Sequence, residues 1–218
     1  MPGNSAATGG SGRPVDGRTE RGRQTRERII DAVLALLEEG ETRFAADRIA
    51  ERAGVSRRLV FHHFADIAQL ADAAIARRLG QLAAQARPLP MQGARAVRVA
   101  ALVEQRARIL EWITPTRLAI ARLDDPSDRI QELTRQMLDL ARLRLAEVFA
   151  AELDRLPEQR RTDLLNGLDA VTTWSAWHHW RTAGLDPEQA RRTMAATVHA
   201  LLSSADQSDA ADPPPDSP

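Results

Sequence analysis

Cysteine is absent from the 218 residues, and so is lysine. The first absence excludes disulfides, thiolate zinc sites and thiol catalysis together. The second makes arginine the source of all thirty basic residues. Arginine is the better residue for bidentate phosphate or guanine contacts, but a GC-rich coding bias shared with the alanine richness accounts for the choice without a nucleic-acid partner. Aromatic residues make up only 4% of the chain, and alternating runs of Val, Ile and Thr are missing, which argues against sheets. No apolar run approaches the ~18 residues of a membrane span, so no membrane partner is expected. Met1 to Gly12 is small and polar without a hydrophobic stretch, so no secretory signal is expected and a cytoplasmic location is. Enzyme signals are lacking too. There is no Gly-x-Ser-x-Gly elbow, phosphate-cradling glycine loop, His-Glu-x-x-His or acid pair tied to a turn, so no catalytic residue and no cofactor is expected. Net charge is zero: residues 1–80 hold 13 arginines against 11 carboxylates, the remainder 17 against 19.

What is present is helical periodicity almost throughout. The pattern predicts an all-α protein of about nine helices. A Gly/Ser/Thr/Arg-rich tail over residues 1–22 and a proline-rich tail over 204–218 read as disordered. The first helix covers residues 24–39, with Ile30, Val33, Leu34 and Leu37 on one face and Gly40 as its stop. Short helices follow at 45–53 and 57–64. A fourth starts after Asp66, a candidate N-cap, and runs towards residue 86. Residues 23–80 thus form a first domain. Residues 81–203 form a second, with helices at 94–112 (broken or bent by Pro115), 116–123, 128–153, 157–182 and 187–203. Asp186-Pro187-Glu188-Gln189 is a strong start signal for the last of these.

The segment from Asp47 to Phe64 is the one whose residues name a partner. Ala50 is small enough for two helices to cross. Gly54 supplies the positive φ of a tight turn, and Ser56 is placed to cap the next helix. Ile49, Val55, Val60 and Phe64 pack this unit on Ile30, Val33 and Leu37, leaving Arg57, Arg58, His62 and His63 outside. This is the layout of a helix-turn-helix whose second helix lies in the major groove of double-stranded DNA.

Arg26-Glu27-Arg28-Ile29-Ile30-Asp31-Ala32, Gly40, Ile49-Ala50-x-x-Ala53-Gly54-Val55-Ser56 and Phe61-x-x-Phe64 together resemble the N-terminal domain of the TetR family of transcriptional regulators. The match covers residues 26–74, roughly a quarter of the chain. The resemblance implies DNA contacts at Arg26, Ala45, Ser56, Arg57, Arg58, Leu59, Phe61, His62 and His63, the phenyl ring lying on a sugar or thymine methyl. Several usual anchors are altered. Leu59 stands where threonine is common, Phe61 where tyrosine is, and Ala45 where a Ser or Thr caps the second helix and touches phosphate. Ile67 stands where a lysine reaches the backbone. Arg26, Arg28, Arg43, Arg58 and the basic segment 13–23 are the candidates to compensate, although that segment also reads as a solvated tail.

Trp174-x-x-Trp177-His178-His179-Trp180 is the second constellation. Trp174 and Trp177 continue the Leu164, Leu168, Val171 stripe, and the group reads either as core or interface packing or as an aromatic wall for a ligand. His178 and His179 diverge by about 100° on a helix, so a metal site is not expected. The resemblance implies a ligand pocket between the helices of Trp112, Met137, Trp174, Trp177 and His178; the ligand chemistry does not carry over from the family, and the Ala/Leu/Trp-rich lining points to a small apolar or aromatic effector. It also implies a homodimer through the last two long helices, a palindromic operator and action as a repressor. The rival reading is a helical small-molecule-binding or adaptor protein without sequence-specific DNA binding.

Overall fold

The computed structural model describes residues 17–41, 44–123 and 125–209. Among them are eleven helices and no strand: α1 Gly17–Glu38, α2 Ala46–Ala53, α3 Arg57–His63, α4 Ile67–Gly80, α5 Leu82–Gln85, α6 Arg95–Ile120, α7 Asp128–Val148, α8 Ala150–Leu153, α9 Glu158–Val171, α10 Trp174–Thr182 and α11 Pro187–Asp209. None is long and apolar enough to cross a membrane.

Two apolar clusters organise these helices. In the front cluster Ile29, Ile30, Val33 and Leu37 of α1 meet Ile49 of α2, Val60 in the middle of α3 and Phe64 at its C-cap, and Leu70 and Ile75 of α4. The rear cluster joins Val99 and Leu102 of α6, Phe149, Leu153 of α8, Leu168 of α9, Trp177 of α10 and Met194, Val198 and Leu202 of α11. Each fully buried Leu, Ile or Phe side chain contributes about 1.5–3 kcal/mol relative to exposure. Helix α6 serves both clusters, since its Ile113 and Ala119 lie in the front one.

Local chemistry sets several boundaries as the sequence predicts. Asp66 accepts from the N–H of Gln69 at 2.7 Å, starting α4. Asp186 and Gln189 cap each other reciprocally at 2.7 and 2.8 Å, starting α11. Other boundaries differ. Helix α1 already begins at Gly17, so residues 17–22, expected in the tail, are helical; Glu20 binds Arg23 and Gln24 one turn on. Helix α11 likewise takes in residues 204–209. The remaining tail residues, 1–16 and 210–218, lie outside the described residues.

Pro115 does not break the chain but lies inside the continuous α6, which joins the two helices expected at 94–112 and 116–123. Ile113 and Thr116 on either side are each 1% exposed, and Thr114 donates its hydroxyl to the Leu110 carbonyl at 2.6 Å. Packing there offsets the one backbone hydrogen bond that proline removes. The expected helix over 157–182 is split instead. Thr172 donates its hydroxyl to the Leu168 carbonyl, and Thr173 caps α10 by accepting from the Ala176 N–H at 3.3 Å. Two adjacent hydroxyls that bind backbone compete with the helical ladder and end it. The chain also pauses at Gln81 and Phe149, separating α5 and α8 from their neighbours.

Candidate nucleic-acid interface

Helices α2 and α3 meet at Gly54, which adopts φ 64° as the left-handed C-cap of α2. Its N–H and that of Val55 return to carbonyls of α2, closing the turn. Ser56 accepts from the Leu59 N–H at 3.2 Å and so orients the first turn of α3. Ala50, 5% exposed, sits at the crossing. Val60 and Phe64 bury one side of α3, and the opposite side is left outward.

That outward side carries Arg57, Arg58, Phe61 (40% exposed) and His62, with Leu59 and His63 half-buried at its margins. Arg57 is not a free cation. Its Nη1 donates to Oδ2 of Asp47 at 3.1 Å, and its guanidinium lies 5.6 Å from the centre of the Phe61 ring. Arg58 has no ion pair among the described residues. Arg26 comes in from α1, its guanidinium 4.7 Å from the centre of the Phe64 ring. His62 and His63 meet edge to face at 5.3 Å. Burial, then the neighbouring charges of His62 and Arg26, push the His63 imidazole below its ordinary value.

The expected departures have structural counterparts. Ala45 is the N-cap residue of α2 and offers no side-chain cap. Ile67 packs against the front cluster rather than reaching outward. Arg28 is exposed and lies 3.4 Å from the Thr25 hydroxyl. Arg43 and residues 13–16 lie outside the described residues. Asp47 is the participant the sequence reading missed. It sits ten positions before Arg57 on a different helix, and no local pattern announces the pair.

Behind the reading face, Trp112, Met137 and Trp174 pack against the same front cluster, and His178 stacks on Trp174 at 4.7 Å. Trp174 donates its Nε1–H to the Thr114 hydroxyl at 3.1 Å. Trp177 belongs instead to the rear cluster; it is 1% exposed and donates to Glu111 at 2.8 Å. Of the five pocket candidates, Trp174 and His178 are in direct contact, Trp112 and Met137 share the front cluster with Trp174, and Trp177 lies in the rear core. Trp112 also joins the two halves mechanically. Arg78 of α4 lies 4.6 Å from the centre of its ring and donates to Glu38 of α1 at 2.5 Å.

Residues 29–80 match the family model of bacterial regulatory proteins of the tetR family. The fold resembles that of a tetR-family transcriptional regulator from Streptomyces coelicolor, with 21% identity, a TM-score of 0.63, and 90% of this chain and 92% of that one covered. A transcriptional regulator from Rhodococcus sp. Rha1 is similar at 21% identity and a TM-score of 0.54, covering 82% of this chain and 96% of its own. Comparison with curated protein sequences gave no match. With turn, cap and core all inside the matched segment, residues 29–80 form a helix-turn-helix domain of the kind that the tetR family model describes, and the fold around it resembles that of such regulators.

Proposed function

We propose that the chain is a homodimeric, ligand-responsive repressor that binds a palindromic operator and releases it when a small effector enters the rear bundle. The observation that carries this reading is the Ser56-capped α3, with Arg57, Arg58, Phe61 and His62 turned outward over a buried Val60 and Phe64. Two such helices about 34–36 Å apart, one from each protomer, would enter successive major grooves. Arg57 is assigned to a guanine, Leu59 to a thymine methyl, and Arg26, Arg58, His62 and His63 to the backbone. The last two long helical segments, α9 with α10 and α11, are assigned to the dimer contact. An apolar or aromatic effector is assigned to the space bordered by Trp112, Met137, Trp174 and His178.

The Trp112–Arg78–Glu38 chain of contacts supports the coupling, since it ties α6 to α4 and α1. Selection of bound fragments from random DNA tests the reading directly. A palindromic consensus bound by a dimer is expected. Weak, sequence-indifferent binding with a steep salt dependence would instead favour a helical binding protein without an operator.

A further inference from the structure

The rear bundle and its joint with α1 hold several wholly or partly buried arginines, and all but one find an acceptor for at least one guanidinium nitrogen. Arg98 of α6 donates to both oxygens of Glu152 at 2.9 and 2.5 Å and to the Val148 carbonyl at 2.5 Å. Arg106, two turns on, donates to the Ala141 carbonyl of α7 at 2.8 Å. Arg108 binds Gln85. Arg78, at the joint with α1, holds Glu38 through its Nη2, although its Nε is buried without a partner. Arg117 breaks the pattern. Its Nε is buried without a hydrogen-bond partner, and no carboxylate or carbonyl receives its guanidinium among the described residues. Its neighbour is the indole of Trp174, whose ring centre lies 5.2 Å away.

An Nε–H taken out of water without an acceptor costs free energy that nothing in this conformation returns. Burial accordingly pushes the Arg117 guanidinium below its ordinary range, with no opposing charge to restore it. Trp174 is held by Thr114 and His178. On α7, the Thr134 hydroxyl is likewise buried and unpartnered, one turn before Met137. Arg106 and Arg117 lie on one stripe of α6, eleven residues or about three turns apart. The first bridges to α7, and the second reaches no acceptor.

We infer that Arg117 is the anion-receiving residue of the effector site, so that the effector is a small carboxylate with an apolar or aromatic body. The inference rests on the ligand-responsive reading above and adds the charge of the ligand to it. A planar guanidinium accepts a carboxylate through two parallel hydrogen bonds. The Thr134 hydroxyl is a further polar group free to bind, and Trp112, Met137 and Trp174 supply the apolar surface. In the free protein the face of Trp174 stands in for the missing anion as a cation–π partner, a weaker substitute than a charge.

The test uses the full-length purified protein and matched pairs of probes: benzoate, cinnamate, 1-naphthoate and octanoate against their neutral primary amides. Tryptophan fluorescence and the thermal unfolding midpoint report binding. At least one carboxylate should bind about tenfold or more tightly than its amide. That preference should vanish in Arg117→Gln, shrink in Arg117→Lys, and survive replacement of the exposed Arg122 by Gln. Arg117→Gln should fold as stably as the parent or more so without ligand, because it removes an unsatisfied charge. The inference is overturned if no carboxylate binds, if acid and amide bind alike, or if the preference persists in Arg117→Gln. Binding to selected operator DNA separates the two levels. Release by amides alone retains the ligand-responsive repressor and removes the anion site. Arg117-dependent carboxylate binding without any change in DNA affinity retains the site and removes the repressor switch.

Discussion

Arg57–Asp47 in the reading head and Arg98–Glu152 in the rear bundle are the same ion pair in opposite surroundings. The first pair is 60% and 74% exposed, the second 5% and 7%. Water screens the first, so it contributes about 0–1 kcal/mol to folding and can be exchanged for a DNA contact at little cost. The second is satisfied by two carboxylate oxygens and a backbone carbonyl, and removing one partner strands a charge in the core. A protein that must give up contacts at one end and keep its shape at the other places identical chemistry at different depths.

The comparison breaks most visibly at Glu152. Glu152→Gln is expected to cost about 3–5 kcal/mol in chemical denaturation. Burial alone would push the Glu152 carboxyl up, but hydrogen bonds from Arg98 and Arg95 outweigh it and hold the group below its ordinary value. Its contribution is therefore present above pH about 4.5 and lost as the pH falls through the lowered value. The variant should show a flatter acid limb than the parent, and an equally steep one would remove this pair from the acid response.

Arg57→Ala comes next, weakening operator binding by about 1–3 kcal/mol if the residue reads a guanine. Equal losses on operator and random DNA in a salt titration would reduce it to a phosphate contact. Asp47→Asn should change folding stability by less than about 1 kcal/mol. On DNA it should tighten random-sequence binding while narrowing the preference for operator, because Arg57 loses the carboxylate that aims it. Uniform tightening on both would mean that Asp47 only repels phosphate.

The smallest effect belongs to His63. Its imidazole is held below about 6.5 in the free protein, and a phosphate beside it would raise that value. Binding then takes up a proton, so affinity should rise as the pH falls from 7 towards 5.5. His63→Gln should remove that part of the pH slope, measured by fluorescence anisotropy. An unchanged slope would exclude His63 from the contact.

Features written in consecutive residues were legible in the sequence. The Gly54 turn, the Ser56 and Asp66 caps and the Asp186–Gln189 box depend on neighbours three or four positions apart, and the structure reproduces them. So was the buried side of α3, because a 3.6-residue period fixes it. Features that depend on distant chain segments were not. Asp47 finds Arg57 across a turn, Arg98 finds Glu152 across 54 positions, and Arg117 is distinctive because it meets the Trp174 ring and no acceptor. The Thr172–Thr173 break falls between. Each threonine alone is compatible with a helix, and the decision lies in where both hydroxyls point.

The continuity of α6 through Pro115 has a mechanical meaning. Arg98 clamps the helix near its start, and Arg117 stands nineteen residues further along, about 28 Å away. An unbroken rod fixed at one point is a lever. Tilting it by only about 2° sweeps the far end through roughly 1 Å, and Trp112, which bears on Arg78, rides on that arm. A break at the proline would have absorbed such a motion; an uninterrupted helix passes it to the joint with α1.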